Sequence, residues 1–221
     1  MEKLRWMMWG GLSTTHLIWA VALFAEPFRL GQRMGSPLPF GIIHLATSVL
    51  ILSNSRVAGL TLSTAILSYY WAFVKPLEPV AEPQSVGILF ISASELVRNL
   101  STDNLITHLL LRGGLAYPLL EWGLDALRNP FHFAEYMASN PVTSQALPYI
   151  PLYPSITALG IYEIMLGIWM VSGMRCRPAS IVLVSTLILF SGVAGYPLAL
   201  PQNIALITAA LYHGFGPSPS S

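Results

Sequence analysis

Apolar residues run along this chain in long stretches, which are separated by short segments rich in proline, glycine and charge. The apolar stretches are residues 4–25, 40–52, 57–74, 86–97, 105–127, 155–172, 179–193 and 204–212. A helix that spans a membrane needs about 20 apolar residues, with a range of about 17 to 25. The second, fourth and eighth stretches are shorter, so each suits a re-entrant or interfacial segment as well as a span. The pattern predicts an all-α fold with about eight helices.

The first stretch has two interpretations, because it follows Lys3 and Arg5. A positively charged segment before an apolar run is also typical of a cleaved signal peptide. The length of the run favours a membrane span that stays in the protein.

The composition indicates an integral membrane protein. Of 221 residues, 54% are hydrophobic and 10% are charged, and the formal net charge is +1. A soluble domain carries about 25% charged residues, so this chain has too few to cover a surface facing water. The charge balance excludes a basic nucleic-acid surface and a disordered chain, and a single cysteine excludes an internal disulfide framework. We expect the lipid bilayer and other membrane-protein subunits as partners, and no nucleic acid.

The second half of the chain repeats features of the first half. The Gly-Gly-Leu sequence at residues 10–12 recurs at residues 113–115, and at the same offset Trp19 matches Trp122. Prolines, arginines and glutamines also recur in one order: 27–28 with 130–131, Arg56 with Arg175, and 83–84 with 201–202. Such matches are rarer by chance than matches between apolar residues. We expect two four-helix repeats, residues 1–100 and 101–221.

The repeat has a consequence for topology. A unit with an even number of spans returns the chain to its starting side, so the two copies would be parallel and not inverted. Positive residues are commoner on the side of the N-terminus (Lys3, Arg5, Arg56, Arg98, Arg112, Arg175 and Arg177) than on the other side (Arg29, Arg33, Lys75 and Arg128). The positive-inside rule then predicts that both termini lie inside, and we expect a prokaryotic cytoplasmic membrane.

The loops between the first two helices of each copy mix aromatic and polar residues after a proline. Residues 26–34 and 129–137 are each expected to hold a short amphipathic helix at the membrane interface. The insertion at residues 140–154 contains four prolines and is expected to be an extended cover. The aromatic run at residues 69–71 is interpreted as part of an interfacial belt.

Several motifs in the second half resemble those of DoxX/DoxD-like membrane proteins. They are LRGGLA at residues 111–116, LEWGLD at 120–125, NPF at 129–131, ALGIYEIMLG at 158–167, and a turn with glycine and arginine at 173–177. The resemblance covers about residues 105–214 and implies a four-helix membrane bundle. DoxD-like members resemble the membrane subunit of a thiosulfate:quinone oxidoreductase, so the resemblance implies a redox or quinone-linked complex. The lack of a cysteine pair argues against a thiol relay.

The first half looks like a diverged copy that has lost ionisable residues. Where the second half has Arg112, Glu121, Asp125 and Glu163, the aligned residues of the first half are Trp9, Ile18, Ala22 and His44. We therefore expect the first half to supply packing and the second half to hold any polar site.

Ionisable residues at membrane depth cost about 2.5–3.5 kcal/mol on insertion scales, so they indicate either function or pairing inside the bundle. Glu163, near the middle of its span, is the leading candidate for a hydrogen-bonding group in a quinone or lipid pocket. A structural carboxyl, neutral or paired with Arg112, is the alternative. Arg112 would either pair with an acid or extend its side chain to the membrane surface.

Glu121 and Asp125 lie four residues apart, on one face of a helix, with Arg128 three residues further. They are candidates for the same pocket, although an interfacial ion-pair cluster is the favoured interpretation. His44 is a further pocket candidate, whereas the five histidines as a group are interpreted as polar contacts between helices. We assign no catalytic residue and no metal ligand.

The sequence favours an accessory integral-membrane subunit of a redox or quinone-linked complex, more a partner anchor than a stand-alone enzyme. It would bind no covalent cofactor, and quinone or lipid would be its ligand. The alternatives are a structural subunit that fills an interface in a large membrane assembly, or a transporter of small molecules or lipids.

Overall fold

A computed structural model describes residues 2–25, 36–74, 80, 83–101, 105–174, 176–194 and 199–216. These residues form α1 (Glu2–Ala25), α2 (Leu38–Leu52), α3 (Arg56–Tyr69), α4 (Gln84–Leu100), α5 (Leu105–Arg128), α6 (Pro130–Ser139), α7 (Thr143–Ala146), α8 (Leu152–Ser172), α9 (Cys176–Ala194) and α10 (Leu200–Phe215). A π-helical turn, Tyr70–Val74, continues α3. Each of the eight apolar stretches lies within one of these helices, so the all-α prediction is confirmed.

Four helical segments are long and apolar enough to cross a membrane: Glu2–Ala25, Arg56–Val74, Leu152–Ser172 and Cys176–Ala194. Three others are shorter, with 15 residues in α2, 17 in α4 and 16 in α10. Prolines mark the starts of these three, because Pro37 and Pro83 take the N-cap positions of α2 and α4 and Pro201 lies in the first turn of α10. Proline is well accepted there, since the first N–H groups of a helix have no partner within it.

The helices pack in sequence around a closed ring. Each of α1 to α4 packs against the next helix in the chain, and α5 packs against α8. At the other end of the chain α9 packs against α10, and α10 packs back against α1. The contact between α8 and α9 is much less extensive than that between α2 and α3. The ring is therefore loosest between α8 and α9.

Glycines allow three of these helix pairs to approach closely, and two of the pairs meet backbone to backbone. A Cβ atom added to Gly87 on α4 would lie 2.5 Å from the carbonyl oxygen of Gly114 on α5, and one added to Gly123 on α5 would lie 2.7 Å from that of Gly160 on α8. Gly11 on α1 leaves no room for a Cβ beside Thr208 on α10. The second glycine of each Gly-Gly pair thus serves close helix packing.

The segment between α5 and α8 is more helical than expected. Helix α6 begins at Pro130, which confirms the predicted short helix, whereas the matching loop at residues 26–34 lies outside the described residues. The expectation of an extended cover over 140–154 is partly wrong, because Thr143–Ala146 form one helical turn and α8 already begins at Leu152. Pro154 is no obstacle, since it falls in the first turn of α8, where proline is tolerated.

Candidate functional site

Glu163 lies on the buried face of α8. It is three residues after Gly160 and four before Gly167, and both glycines pack against α5, so the three residues share one face of the helix. The side chain is 2% exposed, and its Oε2 atom has no hydrogen-bond partner. A buried carboxyl oxygen without a partner is rare and calls for an explanation. Glu163 therefore remains the leading candidate for a group that binds a ligand.

Arg112 does not pair with Glu163. Its guanidinium lies against Gly173, the residue that ends α8 in a left-handed conformation with a φ of 67°. Gly173 is ten residues beyond Glu163, which corresponds to about 15 Å along a helix. The pairing that the sequence left open is therefore not formed, because Arg112 on α5 extends to the C-terminal end of α8, far from Glu163.

Asp125 and Glu121 also lie apart from this carboxyl. Asp125 accepts a hydrogen bond from Asn129 at 2.9 Å and contacts His132 Nδ1 at 2.8 Å, on the exposed link between α5 and α6. Arg128 makes no ion pair with it within the described part of the chain. Glu121 is exposed. The prediction that Arg128 neutralises Asp125 is thus wrong. The partner of Asp125 is His132 on α6, although Arg128 lies on the same helix as Asp125.

His44 belongs to a different cluster, inside the first half. Its Nδ1 lies 2.7 Å from His16 Nδ1, and its Nε2 lies 2.9 Å from the Tyr70 hydroxyl. His16 Nε2 lies 2.8 Å from the Ser63 hydroxyl, which is 2.8 Å from that of Ser92. All five side chains are fully buried, and they come from α1, α2, α3 with its π turn, and α4. We call this group the histidine network.

The histidine network allows two complete arrangements of its protons. One of the two facing Nδ1 atoms must donate and the other must accept, and this choice fixes the other nitrogen of each ring. If His16 donates, its Nε2 accepts from Ser63, and His44 donates to Tyr70. If His44 donates, every hydrogen bond of the network reverses its direction. In either arrangement each contact between neighbouring members has one donor and one acceptor, and the network links four helices.

Tyr70 reaches the histidine network from the π-helical turn at the end of α3. It is fully buried, whereas Tyr69 and Trp71 on either side are exposed. The interpretation of residues 69–71 as a uniform interfacial belt is therefore wrong for the middle residue. A π turn shifts the register of the side chains, and such turns occur often at functional sites.

A second polar cluster in the first half surrounds Glu95 on α4. Trp9 Nε1 donates to Glu95 Oε2 at 2.9 Å, Arg5 Nε donates to the same atom at 3.0 Å, and Arg98 pairs with Oε1. Glu95 is fully buried. Arg56, the first residue of α3, stacks over the Trp9 ring with its guanidinium carbon 3.4 Å from the ring centroid. Three helices therefore meet around one carboxylate.

These two clusters correct the expectation that the first half supplies only packing. Alignment with the second half drew attention to what the first half had lost, and Glu95 has no acidic counterpart there to reveal it. A local feature could have identified it, since it is a carboxylate within an apolar stretch and three residues before Arg98. The His16–His44 contact had no local sequence feature, because 28 residues separate the two rings.

No group of three or more His, Cys, Asp or Glu side chains in the described ranges is placed to hold a metal ion. Comparison of the chain with family models, curated proteins and solved structures finds no match.

Proposed function

We propose that the protein is an integral membrane protein of eight spans, built from two parallel four-helix units at residues 1–100 and 101–221. The buried positions of α2 support the duplication. They are residues 41, 44, 47, 48 and 51, and the last five buried positions of α8 are residues 160, 163, 166, 167 and 170, with the same spacing. In this register Glu163 is the counterpart of His44.

The packing of the first two helices in each unit supports the same register. Gly41 on α2 leaves no room for a Cβ beside Phe24 on α1, and the corresponding Gly160 on α8 lies close to Leu127 on α5. Phe24 and Leu127 are themselves aligned at the offset that matches Trp19 with Trp122. Corresponding glycines thus face corresponding residues. An even number of spans in each unit would place both termini on one side, which we take to be the inside of a prokaryotic cytoplasmic membrane.

We propose that the protein acts as an accessory subunit of a quinone-linked redox complex, in line with its resemblance to DoxX/DoxD-like proteins. The observation that carries this proposal is the unpartnered Oε2 of Glu163. It fits a ligand with a polar head and an apolar body, because one hydrogen bond would satisfy the carboxyl in a helix that has no other charged residue. Glu163 would hold a quinone oxygen, and a bound quinone would supply the electron and proton chemistry.

The loose contact between α8 and α9 offers a route for such a ligand. One bridge between the two helices is the hydrogen bond of 2.5 Å between the Tyr162 and Thr186 hydroxyls. Both helices are mostly exposed: in the most apolar 18 residues of each, 33% are buried in α8 and 28% in α9. In a bilayer these surfaces would face lipid, so that an apolar ligand could reach the neighbourhood of Glu163 without passing through water.

Binding of a short-chain quinone to the purified full-length protein in nanodiscs tests the proposal. We expect Glu163→Gln to weaken binding by up to about tenfold, because the protonated carboxyl would donate to the quinone oxygen and such a hydrogen bond contributes about 0.5–1.5 kcal/mol. Glu121→Gln is the matched control, since it removes an exposed carboxyl from the neighbouring helix. Equal affinity of wild type and Glu163→Gln would remove Glu163 from the pocket, and no binding by the wild type would remove the pocket itself.

The short helices favour a second candidate, a structural subunit that fills an interface in a large assembly. Helices α2, α4 and α10 are shorter than the usual span, and such helices are more easily accommodated when protein covers them. This candidate predicts stable partners but no effect of Glu163→Gln on quinone-linked turnover.

A further inference from the structure

Three arginines converge where α1, α3 and α4 meet. Arg5 on α1 and Arg56 on α3 both stack on Trp9, with guanidinium carbons 4.9 Å and 3.4 Å from its ring centroid. Arg98 on α4 completes the group through its pair with Glu95. We call Arg5, Arg56 and Arg98 the arginine cluster. Arg5 contacts both the Trp9 ring and the Glu95 carboxylate, so it links the three arginines into one site.

Among the described residues, Glu95 is the carboxylate that pairs with members of the arginine cluster. Glu95 already accepts hydrogen bonds from Arg5 and Trp9 and pairs with Arg98. Arg56 donates through Nε to the carbonyl oxygen of Ile51 at 3.1 Å, and no carboxylate of the described residues lies within ion-pair distance of it. Nη2 of Arg5 is buried and has no hydrogen-bond partner. Arg5 therefore keeps an unused donor, and Arg56 has no ion-pair partner among the described residues.

The surroundings of the cluster suit a ligand that is part anion and part hydrocarbon. Trp6 stacks under Arg56, with the guanidinium carbon 4.7 Å from its ring centroid, and is itself 43% exposed. Val57, the residue after Arg56, and Leu52, four residues before it at the end of α2, are also exposed. An apolar surface next to paired guanidinium groups is typical of sites for lipid headgroups between membrane helices.

We propose that Arg5 and Arg56 bind the phosphate group of an anionic lipid, with the acyl chains lying along α2 and α3. Guanidinium groups suit this role because their planar donors match phosphate oxygens in pairs. Free inorganic phosphate offers the same anionic chemistry without the acyl chains. The site lies in the first half and is separate from Glu163 in both position and ligand.

Native mass spectrometry of the full-length protein tests the proposal, after incubation in neutral detergent with equal amounts of phosphatidylglycerol and phosphatidylcholine. We expect a preferentially retained phosphatidylglycerol molecule. Arg56→Gln should reduce its affinity about fivefold, which corresponds to the contribution of one arginine near a membrane surface. Arg128→Gln is the matched control, because it removes an arginine at the end of α5 and should leave retention unchanged.

Two further arms separate the sources of phosphate and guard against misfolding. Displacement of the lipid by inorganic phosphate would support an anion site that is filled from solution, whereas no displacement would support the lipid. Arg56→Lys keeps the charge and should retain more phosphatidylglycerol than Arg56→Gln. Equal retention of the two lipids by the wild type, or full retention of phosphatidylglycerol by both Arg56 variants, would overturn the proposal.

Discussion

Replacement of Glu95 by glutamine gives the sharpest test of the cluster in the first half. The side chains of Arg98 and Glu95 are 5% and 1% exposed, so that neutralising the carboxylate breaks a buried ion pair. Breaking a buried pair in this way costs about 3–5 kcal/mol. The Arg5 side chain is 28% exposed, and the loss of its ion pair adds little because water screens it.

The expected loss is large enough to measure by thermal unfolding. In a domain of about 150–250 residues a loss of 1 kcal/mol lowers the Tm by about 2–4 °C, so we expect a decrease on the order of 10 °C for Glu95→Gln. The assay is tryptophan fluorescence during heating in nanodiscs of neutral lipid. Glu121→Gln, at an exposed position, should change the Tm by no more than about 1–2 °C. If the two variants unfold within a degree or so of each other, the ion pairs around Glu95 do not stabilise the fold.

Three other predictions can be tested on the purified protein, and the first two follow from the described contacts. His44→Phe leaves the Tyr70 hydroxyl buried without its partner and should cost about 1–3 kcal/mol, measured as a lower Tm, whereas His132→Phe breaks an exposed pair and should cost about 0–1 kcal/mol. Gly114→Leu should destabilise by about 1–3 kcal/mol or more, because it forces α4 and α5 apart. Gly113→Leu should be nearly neutral in the same melt, since a Cβ there meets no atom within 4 Å. The purified chain should show no stoichiometric haem, flavin or metal absorbance, and such absorbance would contradict an accessory role.

The helices could be predicted from the sequence because each depends on a local property. Apolar stretches give the positions of α1 to α5 and α8 to α10, and prolines such as Pro130 give the starts. Glu163 was equally accessible, since a lone carboxyl in the middle of an apolar helix is unusual whatever it touches. The sequence could not predict that Arg112 and Glu163 lie apart, because their separation depends on where the Arg112 side chain extends along α8.

The polar clusters of the first half depend on contacts between distant segments. Glu95 binds Arg5 and Trp9, which lie 90 and 86 residues away in the chain, and no local pattern connects them. Tyr70 is buried because it lies three residues after Leu67 and seven after Ser63, on the buried face that α3 presents to the other helices. Alignment of the two halves misled for a related reason, because Glu95 occupies a position that has no acidic counterpart in the second half.

The role of Glu163 in a quinone-linked assembly is tested most directly by purifying the tagged chain from its native membranes in mild detergent. The purified material is then assayed for quinone-linked turnover, with wild type, Glu163→Gln and Glu121→Gln compared side by side. We expect the chain to purify with redox subunits in all three cases, and turnover to fall only in Glu163→Gln. Purification of the chain without partners, or full turnover in Glu163→Gln, would contradict the proposed function.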